Sequence, residues 1–223
     1  MKRVVTPELL DGDSGTPAEI ASALSDLRRI NYWFGGVKTT QSMVQCVAGR
    51  TGARSFALLE VAGGSGDVPR GVGQRLQRHG IRIEASMLDR AASHLKHRTN
   101  GIRAVGGDAL ALPFADNSFD LVSCCLFAHH LAPDELVRFV NEGLRVCRVA
   151  VLINDLVRHP LHWALVYAGW PLYRSRLTQH DAPASVRAAY TPQEMREILK
   201  ETSAREVVMG RHYLFRMGVV VWK

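Results

Sequence analysis

Two adjacent histidines, His129-His130, follow the apolar run "SFDLVSCCLFA", and a second run, "VAVLIND", closes on Asn154-Asp155. A histidine titrates near neutral pH and can take a proton from a reacting group. An aspartate within reach can fix the imidazole tautomer and stabilise the imidazolium. Three more acids stand where apolar runs end: Glu60 in "ALLEVAGGSGDVP", Asp89 in "IRIEASMLD" and Asp108 in "IRAVGGD". The first of these runs spills into glycines, where a ligand can approach the backbone closely. The alternative for the histidines is a pair that only starts a helix, and for each acid a strand-end or capping residue.

Such residues act together only if the run ends meet. Short apolar runs at 55–62, 81–89, 102–108, 118–127 and 149–155 alternate with amphipathic segments predicted as helices at 67–79, 90–98 and 133–147. That alternation is the pattern of a parallel sheet covered by helices, in an α/β, doubly wound arrangement. Right-handed crossovers put the carboxyl ends of all five runs on one edge, where open α/β sheets bind ligands. The last stretch, "REVVMGRHYLFRMGVVVWK", has two β-rich runs around Gly210 and no room for a helix between them, so an antiparallel hairpin should close the sheet. Two helices precede the first strand. Thr16-Pro17-Ala18-Glu19 is a capping-box start, Gly35-Gly36 a stop, and Thr191-Pro192-Gln193-Glu194 repeats the start signal before the hairpin. One segment breaks the alternation: "LVRHPLHWALVYAGWPLYRSRL", 156–177, is rich in aromatics and too interrupted by proline and arginine to span a bilayer. It is either an inserted helical lid or a helix with its aromatics turned into the core.

The 223 residues suit one domain, organised as N-terminal helices (1–54), a ligand-binding core (55–155), a lid segment (156–190) and a last helix with the closing hairpin (191–223). "MKRVVTPELLDGDSG" has acids and glycines where a signal peptide needs an apolar stretch, which favours the cytoplasm. Cys46, Cys124, Cys125 and Cys147 include no C-x-x-C pair and read as reduced, structural thiols. The net charge of +7 is spread along the chain and does not choose among acidic partners.

Ligand chemistry discriminates between readings of the glycine loop. A nucleoside triphosphate loop needs Gly-Lys-Ser/Thr, and here Asp67-Val68-Pro69 follows. A dinucleotide loop needs a third glycine where Pro69 stands, and Asp67 puts negative charge where a pyrophosphate needs amide donors, so a nicotinamide oxidoreductase is disfavoured. A cationic ligand suits Glu60 and Asp67.

"LLEVAGGSGD" resembles the first motif of the class I S-adenosylmethionine-dependent methyltransferases, an acid followed by Gly-x-Gly-x-Gly, with Ala62 at the first glycine position. "IEASMLD", "GGDALALPFADNSFDLV" and the closing hairpin resemble the same family in the same order. The resemblance covers Phe56 to Asp155 and points to the small-molecule, quinone-pathway-like branch with a Rossmann-like, mostly parallel seven-stranded sheet. It implies S-adenosylmethionine as cofactor, held by Glu60, Ala62, Gly63, Gly64 and Gly66. Asp89 would hold the ribose hydroxyls, Asp108 and the Ala109 amide would meet the adenine, and Arg90, Cys125 and Leu126 complete the expected cofactor-binding set. An alanine in a left-handed turn costs about 1 kcal/mol, so the loop is expected to shift until Gly63 takes the turn.

On this resemblance His129 or His130 would be the general base for an oxygen acceptor, oriented by Asp155, with carbon methylation second. Some quinone-pathway relatives hold a metal with acids near this pair; Leu126 stands at the matching early position, so no metal is expected. The Asn/Asp-Pro-Pro-aromatic sequence of DNA amino-methyltransferases and the Pro-Cys of cytosine enzymes are both absent, so the expected partner is a small hydrophobic or aromatic molecule and not a nucleic acid. Trp163, Tyr167, His180 and Arg187 are candidate acceptor-binding residues, the last two equally readable as polar side chains that only face solvent. Peripheral but not inserted membrane contact stays open, as does monomer against homodimer. A non-catalytic S-adenosylmethionine-binding module is the alternative of a different class.

Overall fold

The structure, a computed structural model, describes residues 1–12, 14–90 and 102–223. The helix expected at 90–98 lies almost wholly outside them. Seven strands form one sheet in the order β3-β2-β1-β4-β5-β7-β6. β1 (Ser55–Val61), β2 (Arg82–Asp89), β3 (Arg103–Gly106), β4 (Phe119–Cys125) and β5 (Cys147–Leu156) pair in parallel. β7 (Arg216–Trp222) runs antiparallel between β5 and β6 (Glu206–His212). The hairpin is as expected, but its turn is not at Gly210, which lies inside β6 opposite Gly218. The chain reverses at Tyr213-Leu214-Phe215, with Leu214 in the left-handed region, a turn that its apolar composition hides from the sequence.

Seven α-helices accompany the sheet among the described residues. α1 (Pro17–Trp33) starts at the expected capping box, with Thr16 and Glu19 exchanging hydrogen bonds of 3.3 and 2.8 Å. α2 (Gly36–Thr51) and α3 (Asp67–Gln77) cover one face of the sheet through Met43, Val44, Val47, Val72 and Leu76. α4 (Pro133–Val146) covers the other, because Leu136, Phe139, Val140 and Leu144 recur at helical spacing and are all buried. Each such side chain contributes about 1.5–3 kcal/mol when buried. The helix lies close enough to β5 that a Cβ on Gly143 would come within 2.8 Å of Val151, which is why glycine stands there. α7 (Pro192–Leu199) joins that face from the second capping box, Thr191 with Glu194.

Between them lie α5 (Pro160–Ala168), a single turn at Trp170–Leu172, and α6 (Arg176–Ala188). α6 was not expected, since Pro183 inside it reads as a breaker. It forms because Ser175 caps its start and Leu177, Val186 and Ala188 are buried. Leu177 packs with Leu10, Ile20, Ala23 and Leu24 in a third apolar cluster that joins α6, α1 and the N-terminal segment above the strand ends.

Candidate functional site

A cavity of about 980 Å³ opens over the carboxyl ends of β1, β2 and β4. Its wall includes Glu60, Ala62, Gly63, Gly64, Asp89, Arg90, Asp108, Ala109, Cys125 and Leu126, so the fold brings together nearly every cofactor residue expected from the sequence. Gly66 is the exception: it heads α3 with φ of 71° and does not line the cavity.

The loop itself departs from expectation. Ala62, not Gly63, takes the left-handed turn, with φ of 55°. Gly63 is needed for space, because a Cβ there would come within 3.0 Å of Met87 Cβ, and its N–H donates to the Leu88 carbonyl at 3.2 Å. Close approach to β2 therefore fixes where the glycine goes, and the alanine absorbs about 1 kcal/mol of strain. Gly64 follows in the left-handed region and donates its N–H to Asp89 Oδ2 at 2.8 Å, tying the loop to the end of β2. Leu126 is a second left-handed non-glycine residue on the cavity wall, at the end of β4. Such strain persists only where surrounding structure holds it, and it clusters at functional sites.

Glu60 is almost fully buried, and the register that sets it beside Ser123 lets the serine hydroxyl donate to its carboxylate. Burial pushes its carboxyl up to about 7, and the serine hydrogen bond offsets only part of that. Burial likewise holds the Cys125 thiol up at about 12, so it is no nucleophile at neutral pH. Asp108 accepts from the Leu110 N–H at 2.9 Å and lies exposed on the rim. Three carboxylates along one wall, with no phosphate-type loop, fit a cationic nucleoside derivative better than a dinucleotide.

The histidines stand at the opposite end, in one turn after β4. His129 is buried, and Asp155 holds it twice, accepting from its backbone N–H at 2.9 Å and lying 2.7 Å from Nδ1. Its Nε2 lies 3.5 Å from Glu8. Burial would lower its pKa, but two flanking carboxylates override that and keep the ring protonated; the same pairing lowers Asp155 despite its burial. His130 is partly exposed on the cavity wall, with Nδ1 at 2.9 Å from Asp11 and Nε2 at 3.9 Å from Glu8.

Glu8 and Asp11 were missed in the sequence because nothing local marks them. They reach the site in a strap, residues 1–12, that crosses the strand ends. Arg3 donates to the carbonyls of His129 and Leu131 at 3.0 and 2.9 Å, and Asp181 of α6 accepts from the N–H groups of Leu9 and Leu10. Glu8, His129 and His130 offer ligand atoms within 4.8 Å of one another, which a divalent cation could use. The expectation of no metal rested on Leu126 and did not foresee this trio.

The four acceptor candidates are not brought to the cavity: Trp163, Tyr167, His180 and Arg187 lie off its wall. Asp181 and His180 instead pair with each other while Asp181 anchors the strap. The apolar wall comes from Trp33 and Phe34 at the end of α1, from Leu165 and Leu172, and from Tyr213 and Leu214 in the hairpin turn. Beneath them Arg216 is buried, donating to Asn154 at 2.9 Å and to the Phe34 carbonyl at 3.0 Å, which locks α1 to β5 and β7.

Residues 58–149 match the methyltransferase domain family. A curated relative, the ubiquinone/menaquinone biosynthesis C-methyltransferase of Roseobacter denitrificans, is 35% identical over 118 residues, 48% of this chain and 43% of that protein. The chain thus spans less than half the length of the relative it matches. Among solved structures the methyltransferase fold is shared with an S-adenosylmethionine-dependent methyltransferase of Aquifex aeolicus, at a TM-score of 0.61 and 15% identity over 93% of this chain and 98% of that one. It is shared also with human N-acetylserotonin methyltransferase, solved with S-adenosylmethionine, at a TM-score of 0.64 and 13% identity over 92% and 56% of the two chains.

Proposed function

We propose that the chain transfers a methyl group from S-adenosylmethionine to a small hydrophobic or aromatic acceptor, with His130 as the general base. The observation that carries the reading is one cavity with Glu60, Asp89 and Asp108 at one end and the histidine pair at the other, under an apolar roof. The bound cofactor supplies an electrophilic methyl group on a good leaving group, so the protein's work is alignment and proton removal. Asp89 and Asp108 would bind the ribose and adenine, Glu60 would balance the positive charge, and Trp33, Phe34, Leu165 and Leu172 would exclude water around the acceptor.

His130 is preferred to His129 because it is partly exposed on the cavity wall where His129 is buried, and Asp11 can fix its tautomer, so that Nε2 would be the atom that takes the acceptor's proton. His129, held as a cation between Asp155 and Glu8, cannot accept a second proton and acts as the fixed support of the turn. An oxygen acceptor is the first reading. Carbon methylation beside a phenolic hydroxyl is the second, favoured by the similarity to the Roseobacter denitrificans C-methyltransferase, and it uses the same base to form the phenolate.

The test has two arms. Calorimetry should show S-adenosylhomocysteine binding and no comparable NADH binding; the reverse would end the reading. Incubation with methyl-labelled S-adenosylmethionine and a panel of phenols and hydroquinones, followed by mass spectrometry and NMR, should give O-methyl or ring-methyl products. Cofactor binding without any turnover would favour a non-catalytic binding module instead.

A further inference from the structure

One helix of this chain is apolar all round and yet buries none of its residues. α5 reads PLHWALVYA, with Leu161 54% exposed, and Trp170, just beyond its end, is 47% exposed. A helix apolar on every side belongs inside a core or against lipid. The exposed apolar surface continues onto Trp33, 69% exposed at the end of α1, and Leu214, 72% exposed in the hairpin turn. These pieces are joined to one another: Arg29 donates to the Leu172 carbonyl at 3.3 Å, the Phe34 ring meets Tyr213 edge-on, and His159 and His162 stack on Phe215. Together they ring the mouth of the cavity, whose wall includes Trp33, Leu165 and Leu214.

Charge indicates what covers the ring. No aspartate or glutamate occurs in 27–59, 156–180 or 207–223, the stretches that supply it, while Arg28, Lys38, Arg174 and Arg211 are exposed within them. A second copy would bring like charges together and be repelled. Aromatic and aliphatic side chains fringed by arginine and lysine match the interfacial layer of an anionic bilayer, and no described helix is long and apolar enough to cross one.

We propose that this ring docks on an anionic membrane surface, with α5 lying in the headgroup layer and the cavity mouth facing the lipid. If the methyl-transfer reading also holds, a lipophilic acceptor reaches the cavity without crossing water. Docking itself does not depend on that reading.

Vesicle flotation of the full chain tests the proposal. Phosphatidylcholine vesicles with about one-third phosphatidylglycerol should bind it at least about tenfold better than phosphatidylcholine alone, since each basic side chain near the surface strengthens attraction to anionic lipid. High salt, about 0.5 M, should remove most of that preference. The pair Leu161→Ser/Trp170→Ser should lose about tenfold in binding to anionic vesicles through lost apolar insertion. Arg174→Glu/Arg211→Glu should lose only the preference for anionic lipid. Melting temperature, and calorimetric affinity for S-adenosylhomocysteine, report whether each variant is folded. Vesicle binding without S-adenosylhomocysteine binding by the parent chain would uphold docking and overturn methyl transfer. Failure of the parent chain to bind either vesicle overturns the proposal. So does vesicle binding that both folded variants retain, or self-association that Leu161→Ser/Trp170→Ser abolishes in a chain that ignores vesicles.

Discussion

Replacing Glu60 by glutamine should stabilise the protein at alkaline pH while weakening its hold on a cationic cofactor. The carboxyl is buried, and its pKa rises from 4.5 to about 7. A group raised on folding stabilises the fold fully below its unfolded value, and that stability is lost as the pH climbs through the folded value. Relative to a neutral side chain, the carboxyl therefore costs the folded state about 1 kcal/mol at pH 5 and about 3 kcal/mol at pH 8.5, at 1.36 kcal/mol per pKa unit. Glutamine keeps an acceptor for the Ser123 hydroxyl and carries no charge, so Glu60→Gln should escape the alkaline cost. For a chain of this size 1 kcal/mol moves the melting temperature about 2–4 °C. The variant's advantage over the parent should therefore grow by about 4–8 °C between pH 5 and pH 8.5 in calorimetry, using the difference between the two proteins so that other titrating groups cancel. Binding should run the other way. Parent affinity for S-adenosylmethionine should rise as the pH passes through 7 and Glu60 ionises, and the variant should lack that rise. A difference in melting temperature that does not change with pH would refute the burial argument, and an identical pH profile of binding would remove Glu60 from the cofactor's charge balance.

Breaking the Asp155–His129 pair with Asp155→Asn strands a buried imidazole and should cost about 3–5 kcal/mol in urea unfolding. That loss is complete between the ordinary aspartate and histidine values of 3.8 and 6.5, and shrinks below as Asp155 protonates and above as the pH climbs through the raised His129 value. His130→Ala should slow methylation of a phenol by about 10²- to 10⁴-fold with S-adenosylhomocysteine affinity unchanged, measured by single-turnover kinetics. Asp89→Asn should weaken S-adenosylhomocysteine binding by about 1.5–3 kcal/mol, and Asp108→Asn, on the exposed rim, by less, by calorimetry. Ala62→Gly should relieve the left-handed turn and leave stability unchanged or raised by up to about 1 kcal/mol, whereas Ala62→Val should destabilise.

What the sequence made legible were features whose cause is local. Strands announce themselves by apolar runs, α1 and α7 by capping boxes, and the acids Glu60, Asp89 and Asp108 by standing where β1 and β2 end and just past β3. The parallel topology then carries those carboxylates to one edge without further information. The histidine turn was legible for the same reason, but its charge state was not. Whether His129 can act as a base depends first on Asp155 and then on Glu8, 121 positions away, whose place is set by Arg3 binding the carbonyls of residues 129 and 131 and by Asp181 binding the amides of residues 9 and 10. The acceptor wall failed for a related reason. Trp163 and Tyr167 drew attention as aromatics, but on α5 they pack edge-on against each other off the cavity wall, and the cavity is roofed instead by residues from α1, α5 and the hairpin turn that no pattern connects. The apolar residues that α5 leaves exposed, Leu161, Leu165 and Tyr167, supply the proposed membrane-facing surface. The misplaced acceptor residues and the case for docking therefore share one cause: α5 carries more apolar surface than the fold buries.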